Sequence, residues 1–316
     1  MKVMVTGGAG FIGSHVVDAF LERGDEVVVV DDLSSGSRDN VPDGVELVEL
    51  DVADGAGVRA AMARLSPDFV PHLAAQSSVT VSVSDPDRDF ASNVLGTFNV
   101  VRAASELGAR TAFASTGGAL YGEDAPMPTP ETHVPRPLSP YGAGKQAGEA
   151  FVSTLQRFLG VAHVVLRLGN VYGPRQNPHG EAGVVAIFSE RLLEDRPLAV
   201  YGHGTPTRDY VHVRDITRAF TTVADTEVAG TFNLGWGREV SVLEVLDGIQ
   251  RAAGTAVEPR LEPLRPGELR RSAIDSSAAA AAFGWRPEIE LDEGLAETFR
   301  WYAETRGELT GPDATL

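Results

Sequence analysis

Cysteine is absent from this 316-residue chain, which excludes disulfide bonds, thiolate nucleophiles and sulfur-ligated metal sites. Basic residues are scarce, since 27 stand against 44 acidic ones and leave a net charge of -17. Without any basic block, this balance argues against a nucleic-acid partner or an anionic membrane surface. No apolar run approaches the ~20 residues of a membrane span, and residues 2–6 have a strand pattern where a signal peptide would stand. We therefore expect a soluble, cytoplasmic protein.

Lysine is nearly absent as well. Only Lys2 and Lys145 are lysine, and the other 25 basic residues are arginine. Such a bias is typical of a GC-rich genome and indicates no function by itself. Lys145 is the single internal lysine that has persisted against the bias, which makes it a candidate functional residue. The seven histidines show no metal-ligand spacing, so we expect no metal site.

Short β-branched runs alternate with amphipathic helical patterns through the first half of the chain. Strands are predicted near residues 3–6, 26–30, 45–49, 69–73, 111–115 and 162–167, and helices near residues 11–23, 89–107 and 141–159. This alternation predicts a Rossmann-type, doubly wound α/β fold, in which helices cover both faces of a parallel sheet. Pro71 falls within a predicted central strand and predicts a local bulge there, because it has no N–H for the ladder.

After residue 170 the pattern loosens, as Pro and Gly become frequent. Helices predicted near residues 182–193, 242–253 and 293–304 alternate with short extended pieces. We predict a first domain of residues 1–168, with part of residues 206–240 interleaved, and a smaller mixed α/β substrate-binding lobe of residues 169–316. Residues 313–316 are expected to fray.

A glycine-rich turn follows the first predicted strand and begins the first predicted helix. Gly7, Gly10 and Gly13 have the spacing G-x-x-G-x-x-G, which allows a tight turn and exposes N–H groups of the helix N-terminus to a pyrophosphate. A turn that merely joins strand to helix is the alternative. Asp31 ends the second predicted strand, where a carboxylate accepts hydrogen bonds from both ribose hydroxyls and repels a 2′-phosphate. Together these features predict a dinucleotide site that prefers NAD to NADP.

Tyr141 and Lys145 are four residues apart and share one face of a predicted helix. A phenol with a pKa of about 10 is a poor base at neutral pH unless a nearby cation stabilises the phenolate. The Lys145 ammonium can be that cation, and it can also hydrogen-bond a nicotinamide ribose. A surface Tyr–Lys pair is the alternative, although a surface position would equally have accepted arginine. We therefore predict a catalytic Tyr–Lys couple.

Further motifs extend over essentially the whole chain. Besides the glycine turn and the Tyr–Lys couple they are HLAA at residues 72–75, NVLGT at 93–97, STGGALYG at 115–122, LRLGNVYGPR at 166–175, TRDYVH at 207–212 and RPGE at 265–268. On these motifs the chain resembles the extended short-chain dehydrogenases/reductases, and most closely the UDP-glucose (UDP-galactose) 4-epimerase family. The motifs are highly specific for the superfamily and moderately specific for the epimerases within it.

This resemblance implies an NAD-dependent 4-epimerase of UDP-galactose and UDP-glucose. Tyr141 would take the 4-hydroxyl proton while the C4 hydride moves to NAD; the 4-ketose would then turn over, and the hydride would return to its opposite face. Since no net redox change occurs, NAD is expected to stay bound. The family's third catalytic group is a Ser or Thr, whose usual position here holds Gly117. Thr116, Ser115 or a water could supply the hydroxyl instead, and we favour Thr116.

Related activities are the alternatives. Sugar 4,6-dehydratases of the superfamily carry an Asp-Glu pair just after that hydroxyl, whereas this chain has Gly118 and Ala119 and so offers no obvious proton donor for dehydration. A nucleotide-sugar dehydratase or a UDP-uronate 4-epimerase is nevertheless the alternative enzyme. A catalytically silent NAD(H)-binding regulator is the alternative outside enzymes, and the presence of Tyr141 and Lys145 argues against it.

The resemblance also implies which residues contact each ligand. Cofactor contacts are expected from Gly7, Gly10, Phe11, Ile12, Gly13, Asp31, Asp32, Ser35, Gly36, Asp51, Val52, Leu73, Ala74, Ala75, Asn93, Ser115, Tyr141, Lys145 and Leu168. Substrate contacts are expected from Gln76, Ser78, Thr116, Tyr141, Asn170, Gly183, Val184, Ala199, Tyr201, Arg208, Arg265, Glu268 and Ser272. An acidic turn residue is the alternative for Asp51, and Tyr201 could equally be a core tyrosine.

Two arginines are expected to offset the negative charge of a UDP-sugar. Arg208 and Arg265 lie in motifs that resemble the family's pyrophosphate clamps, and a planar guanidinium binds phosphate oxygens bidentately. Taken singly, either arginine could be a solvated surface charge. By the same resemblance Glu268 would hold the uridine ribose.

Pocket size and assembly are two further expectations from the resemblance. Ser272 occupies the family's size gate, where a tyrosine restricts the pocket to plain hexoses. Serine there predicts that UDP-GlcNAc and UDP-GalNAc also enter. The predicted helices 89–107 and 141–159 resemble the pair that forms a four-helix interface in this family, so we expect a homodimer.

Overall fold

The computed structural model describes residues 1–179, 183–264 and 269–309, with only the helical backbone for residues 306–309. Its strands are β1 (Lys2–Thr6), β2 (Glu26–Asp31), β3 (Glu46–Glu49), β4 (Phe69–His72), β5 (Arg110–Thr116), β6 (Val164–Leu168), β7 (Asn170–Tyr172), β8 (Ala199–Tyr201), β9 (Thr207–Arg208), β10 (Tyr210–His212), β11 (Gly230–Leu234), β12 (Val240–Ser241) and β13 (Arg260–Glu262). Its α-helices are α1 (Phe11–Glu22), α2 (Gly55–Leu65), α3 (Val79–Ser84), α4 (Pro86–Asp89), α5 (Thr97–Glu106), α6 (Pro140–Leu159), α7 (Val184–Leu193), α8 (Val213–Ala224), α9 (Val242–Ala253), α10 (Ser277–Phe283) and α11 (Leu291–Leu309).

Seven strands form the main sheet, in the order β11-β6-β5-β4-β1-β2-β3, and neighbouring strands are parallel throughout. Helices α1 and α8 pack together on one face, while α2, α5 and α6 cover the other. The doubly wound α/β fold predicted from the sequence is therefore confirmed. The edge strand β11 comes from a late part of the chain, which returns to the sheet beside β6.

The valine-rich strands are buried on both faces, as covered parallel strands must be. Because successive side chains point to opposite faces, Val3 and Val5 pack in the core beneath α1 and α8, whereas Met4 packs against α2 and α5. In β2, Val27 and Val28 divide between the two cores in the same way. Because both faces of these strands are buried in a hydrophobic core, their sequences are continuously apolar and do not alternate between apolar and polar residues.

Pro71 lies in β4 without a bulge, so the predicted bulge is wrong. All four residues of β4 pair in unbroken register with β5. Toward β1, pairing is confined to Phe69 and His72. The ladder on that side is interrupted next to Pro71, so the strand accommodates the missing N–H by losing pairing rather than by changing register.

The helix predicted over residues 89–107 is a composite. α4 ends at Asp89, a π-helix runs over Phe90–Gly96, and α5 begins at Thr97. Asp89, Asn93 and Thr97 follow one another at four-residue intervals, and all three side chains are buried. The Thr97 hydroxyl donates to the backbone oxygen of Asn93 at 2.7 Å. Apolar periodicity alone does not distinguish such a widened turn from an α-helix.

Three two-stranded sheets and the helices α7, α9 and α11 form a smaller lobe next to the carboxyl ends of the sheet strands, whereas α10 packs against β11 of the main sheet. The two-stranded sheets of the lobe are β7–β10 and β8–β13, both parallel, and β9–β12, which is antiparallel. Helices α7, α9 and α11 enclose a core that includes Phe188, Leu246 and Leu295. Within the described ranges, no helix is long and apolar enough to cross a membrane.

Candidate active site

A cleft of ≈ 1480 Å³ runs along the carboxyl ends of the sheet strands and into the smaller lobe, where open parallel sheets bind their ligands. Most of the predicted site residues line it, namely Gly7, Gly10, Phe11, Ile12, Gly13, Asp31, Asp32, Ser35, Asp51, Val52, Leu73, Ala74, Ala75, Gln76, Ser78, Ser115, Thr116, Tyr141, Lys145, Leu168, Asn170, Gly183, Val184, Ala199, Tyr201 and Arg208. Gly36, Asn93 and Ser272 do not line it. Arg265 and Glu268 lie outside the described residues.

The glycine turn between β1 and α1 is shaped by backbone contacts that leave no space for side chains. Gly7 has a φ of +72°, and a Cβ there would lie 2.5 Å from the backbone nitrogen of Ala74. A Cβ on Gly13 would lie 1.9 Å from the Gly7 oxygen. Gly10 caps α1 without a side-chain hydrogen bond, so the first N–H groups of the helix are left for a ligand. This cradle fits a pyrophosphate.

The carboxylate at the end of β2 is held in place by the backbone. Asp31 accepts hydrogen bonds from the backbone nitrogens of Ala9 and Leu33, each at 2.9 Å, and burial raises its pKa. Each oxygen keeps a second lone pair, so the group can still accept from two ribose hydroxyls. Gly36 instead packs on the turn, where its Cβ would lie 2.8 Å from the carbonyl carbon of Ala9. It lets the loop approach the cradle and does not reach the cleft.

Tyr141 and Lys145 stand in the first turns of α6, which begins with Ser139 as cap and Pro140 at its first position. Lys145 is 3% exposed, its Nζ donates to the backbone oxygen of Ala114 at 2.9 Å, and it lies 4.9 Å from the ring centroid of Phe113. Burial lowers the pKa of Lys145 to about 8, although nearby carboxylates oppose that shift. Tyr141 is half-buried, and burial raises its pKa to about 12.

The structure distinguishes the two side chains, Thr116 and Ser115, that could supply the missing hydroxyl. Thr116 stands beside the Tyr141 hydroxyl, where it counteracts the burial that raises the pKa of the tyrosine. Ser115 instead donates to a carboxylate oxygen of Glu149. Gly117 has no space for a side chain, because a Cβ there would lie 2.6 Å from Cδ1 of Ile274. The geometry therefore supports Thr116 as the hydroxyl beside the phenol.

A buried ion pair beneath the couple is a feature that the sequence reasoning missed. Arg167 donates from Nε and Nη2 to the two oxygens of Glu149 at 2.9 and 2.6 Å, and from Nη1 to the Tyr121 hydroxyl at 2.7 Å. The same Glu149 receives the Ser115 hydroxyl. This network joins α6 to β5 and β6. Glu149 lies four residues beyond Lys145, so its position on the same helix face was readable from the sequence.

Polar groups continue along the cleft from the couple. Gln76 donates to the backbone oxygen of Ser78 at 2.8 Å and accepts from its nitrogen at 2.7 Å, which fixes the orientation of the amide. The Oδ1 atom of Asn170 is buried without a partner in the structure, as expected of a group that awaits a ligand. Asn93 lies below the cleft floor and donates to the Gln76 backbone oxygen at 2.8 Å, so it supports the site rather than lining it.

At the far end of the cleft, the smaller lobe contributes Gly183, Val184, Ala199, Tyr201 and Arg208. The Arg208 guanidinium donates to the backbone oxygen of Thr207 at 2.9 Å. The backbone nitrogen of Ser272 donates to that same oxygen at 3.2 Å. Ser272 is 6% exposed and lies behind the lining.

Some lining residues carry no sequence signal. Trp301 and Tyr302 belong to α11, close to the end of the described chain, yet both line the cleft, as do Asn40 and Leu269. None of them falls in a motif. Asn40 reaches the site through its hydrogen bond to the backbone oxygen of Ala9, and Trp301 and Tyr302 reach it through the packing of α11.

A dinucleotide cradle at the strand ends, facing a Tyr–Lys couple with a hydroxyl beside the phenol, defines an extended short-chain dehydrogenase/reductase. The family described as the NAD dependent epimerase/dehydratase family matches residues 3–235. The chain belongs to this family, so the resemblance seen in the sequence is confirmed.

The similarity to individual proteins extends over the smaller lobe as well. The UDP-glucose 4-epimerase of Mycolicibacterium smegmatis is 43% identical over 309 residues, which span 96% of this chain and 98% of that protein. The structure of a Thermotoga maritima UDP-glucose 4-epimerase with UDP-glucose is 41% identical, with a TM-score of 0.95 over 97% of this chain and 100% of that one. A Thermus thermophilus UDP-glucose 4-epimerase in complex with NAD is 45% identical, with a TM-score of 0.89 over 96% and 99% of the two chains.

Proposed function

We propose that this protein is an NAD-dependent 4-epimerase of UDP-hexoses that interconverts UDP-galactose and UDP-glucose. The observation that carries the proposal is that one cleft brings together Thr116, the Tyr141–Lys145 couple of α6 and the glycine cradle. Full-length similarity to UDP-glucose 4-epimerases, one of them solved with NAD and one with UDP-glucose, supports the cofactor and the substrate.

The residues of this chain divide the work of proton transfer at C4. Tyr141 takes the proton of the sugar 4-hydroxyl, while Thr116 bridges the phenol and that oxygen. Because burial raises the pKa of Tyr141 to about 12, the phenolate needs the adjacent Lys145 ammonium to become accessible near neutral pH. NAD, when bound in the cradle, supplies a reversible hydride acceptor. Asp31 would hold its adenosine ribose, and Asn170 would bind the substrate phosphate or sugar.

A dehydratase reading is disfavoured by the groups that follow Thr116. Elimination of water needs an acid at this place, but Gly118 faces Asn170, whose Oδ1 would lie 3.1 Å from a Cβ there. Ala119 contributes only its backbone nitrogen, which donates to Thr116 Oγ1 at 3.2 Å. No carboxylate stands at either position. A UDP-uronate 4-epimerase uses the same proton transfer and is distinguished by its product.

Purified protein incubated with UDP-galactose, without added NAD, is expected to form UDP-glucose, because the cofactor is retained through the cycle. Proton NMR of the sugar anomeric region identifies the product. In a second incubation UDP-GlcNAc is expected to yield UDP-GalNAc, because by the family resemblance a serine rather than a tyrosine at position 272 leaves room for the N-acetyl group. A tyrosine ring introduced by Ser272→Tyr, just behind the cleft lining, should remove only this second activity. If neither substrate reacts after NAD is supplied, the proposed function is wrong, and UDP-glucuronate becomes the substrate to test.

We further propose a homodimer formed through α6 and through the composite helix made of the π-helix Phe90–Gly96 and α5. Phe90, Phe151 and Phe158 are 60%, 39% and 82% exposed, and Phe98 packs edge-on against Phe151 with centroids 5.2 Å apart. An apolar surface of this kind is typical of a protein interface.

Sedimentation equilibrium is expected to give twice the 33.5 kDa mass of the chain. Replacing Phe151 with glutamate should shift the protein to the monomer, because the interface would then bury an unpaired charge. Val134→Glu, an equally apolar-to-acidic change at a residue that is 67% exposed outside these helices, is the control and should stay dimeric. A wild-type monomer at micromolar concentration would contradict the proposal.

A further inference from the structure

A buried carboxylate that the proposed mechanism does not use lies beside the catalytic helix. Asp89 ends α4 and is 1% exposed. Its Oδ1 accepts hydrogen bonds from Nε2 of Gln76 and Nδ2 of Asn93, both at 2.9 Å. Both donors are neutral amides, so they hold the carboxylate in place without neutralising its charge.

The other oxygen of Asp89 faces the turn of α6 that joins the two catalytic residues. A Cβ on Gly144 would lie 2.8 Å from Oδ2 of Asp89. Glycine at this position therefore lets the carboxylate pack directly on the helix between Tyr141 and Lys145. A buried carboxylate is costly unless a positive charge compensates it, and the nearest ammonium belongs to Lys145.

Groups on α6, β6 and β4 complete the electrostatic surroundings of Lys145. Glu149, on α6 itself, is bound through both oxygens by Arg167 of β6, so its charge is largely compensated. His72 of β4 is neutral, because burial lowers its pKa to about 3. Burial lowers the pKa of Lys145, and of the carboxylates that raise it Asp89 has the largest effect. Among the described residues, Asp89 is therefore the carboxylate that acts most strongly on the lysine.

We propose that Asp89 is a positioning residue whose carboxylate keeps the buried Lys145 protonated beside Tyr141. The effect of Asp89 on Lys145 is independent of the reaction. The inference rests on the proposed function in one respect, namely that the Lys145 ammonium stabilises the phenolate of Tyr141. A buried lysine tends to lose its proton, since low-dielectric surroundings disfavour the charged form. A fixed negative charge in the same surroundings interacts strongly and offsets that loss. Gln76 and Asn93 keep the carboxylate on the side of α6 where it acts.

The scarcity of lysine allows a direct test that does not depend on turnover. Protein labelled with ¹³C-lysine has two lysine Cε resonances, from Lys2 and Lys145, and Lys2→Arg assigns them. In the wild-type protein the Lys145 resonance is expected to titrate with a pKa of about 8. In Asp89→Asn the midpoint should fall by about one pH unit, because loss of a negative charge disfavours the protonated form. Lys2 serves as the internal control.

Asp87→Asn is the matched control variant, since Asp87 lies on the same short helix but is exposed; its Lys145 midpoint should equal that of the wild type. The pH profile of kcat gives a second readout. The charge of Asp89 raises the pKa of both Tyr141 and Lys145, so the whole profile of Asp89→Asn should move to lower pH by about one unit. A purely structural role would reduce kcat without that displacement.

Each outcome decides the proposal. A folded Asp89→Asn protein with an unchanged Lys145 midpoint overturns it. If Asp89→Asn does not fold, the smaller neutral variant Asp89→Ser takes its place, and failure of both to fold also overturns the proposal, because the fold rather than the lysine then requires the carboxylate. A shifted midpoint in a protein whose wild type turns over no UDP-sugar supports the role of Asp89 and refutes the proposed function instead.

Discussion

Replacing Tyr141 with phenylalanine is expected to lower kcat for UDP-galactose about 10³-fold, with the fold and the NAD content unchanged. The substitution removes one oxygen, which is the proposed base and the partner of Thr116. The ring stays the same size, so packing against neighbouring residues is kept. Initial rates at saturating UDP-galactose measure kcat. The NAD content is measured by denaturing the protein and recording the absorbance of the supernatant.

Tyr172→Phe is the control for this prediction. Its hydroxyl donates only a long hydrogen bond of 3.4 Å, to the backbone oxygen of Leu291, so kcat should stay close to the wild-type value. If Tyr141→Phe instead retains more than about a tenth of the wild-type rate, another group takes the proton, and the assignment of Tyr141 as the base is refuted.

Replacing Gly13 with alanine should abolish retained NAD and lower the free energy of unfolding by about 3 kcal/mol. The new Cβ would lie 1.9 Å from the oxygen, and 2.7 Å from the carbonyl carbon, of Gly7, and 2.9 Å from the Cα of Gly8. All three are backbone atoms, which cannot rotate away as a flexible side chain could. The turn must open, and the N–H groups that would hold the pyrophosphate are displaced.

Gly10→Ala in the same turn provides a graded comparison. A Cβ there would lie 3.3 Å from the Gly7 oxygen, a contact that a shift of a few tenths of an ångström relieves, so a loss of about 1 kcal/mol is expected. Urea unfolding of cofactor-stripped protein separates this backbone effect from the stabilisation that bound NAD adds. If Gly13→Ala and Gly10→Ala lower the free energy of unfolding equally, the close approach of Gly13 to Gly7 is not what determines the conformation of the turn.

Interactions between residues close in the chain account for what could be predicted. The alternation of strands and helices, the glycine spacing before α1 and the four-residue spacing of Tyr141 and Lys145 are all local, because hydrophobic periodicity and helix geometry act over a few residues. The predicted parallel fold is confirmed on this basis. The same local reasoning predicted a bulge at Pro71 that is absent, because pairing with β5 keeps the register of β4. It also did not distinguish the π-helix at Phe90–Gly96 from an α-helix.

Family motifs extended the prediction to individual residues, and most of those residues line one cleft. They did not resolve which hydroxyl stands beside Tyr141. That choice depends on Glu149, which engages Ser115, and on Ile274, which fills the space beside Gly117. Neither residue is near residues 115–117 in the chain, so no local pattern could have ranked the candidates.

From sequence alone come the layers of the fold, the nucleotide cradle and the identity of the Tyr–Lys couple, since each is encoded within a short segment. Only the tertiary structure favours Thr116 over Ser115 beside the phenol, brings the carboxylate of Asp89 against Gly144 and completes the cleft wall with Trp301 from α11. These features depend on packing between distant segments, because the energy of a buried charge or of a closed cavity is set by every element that surrounds it.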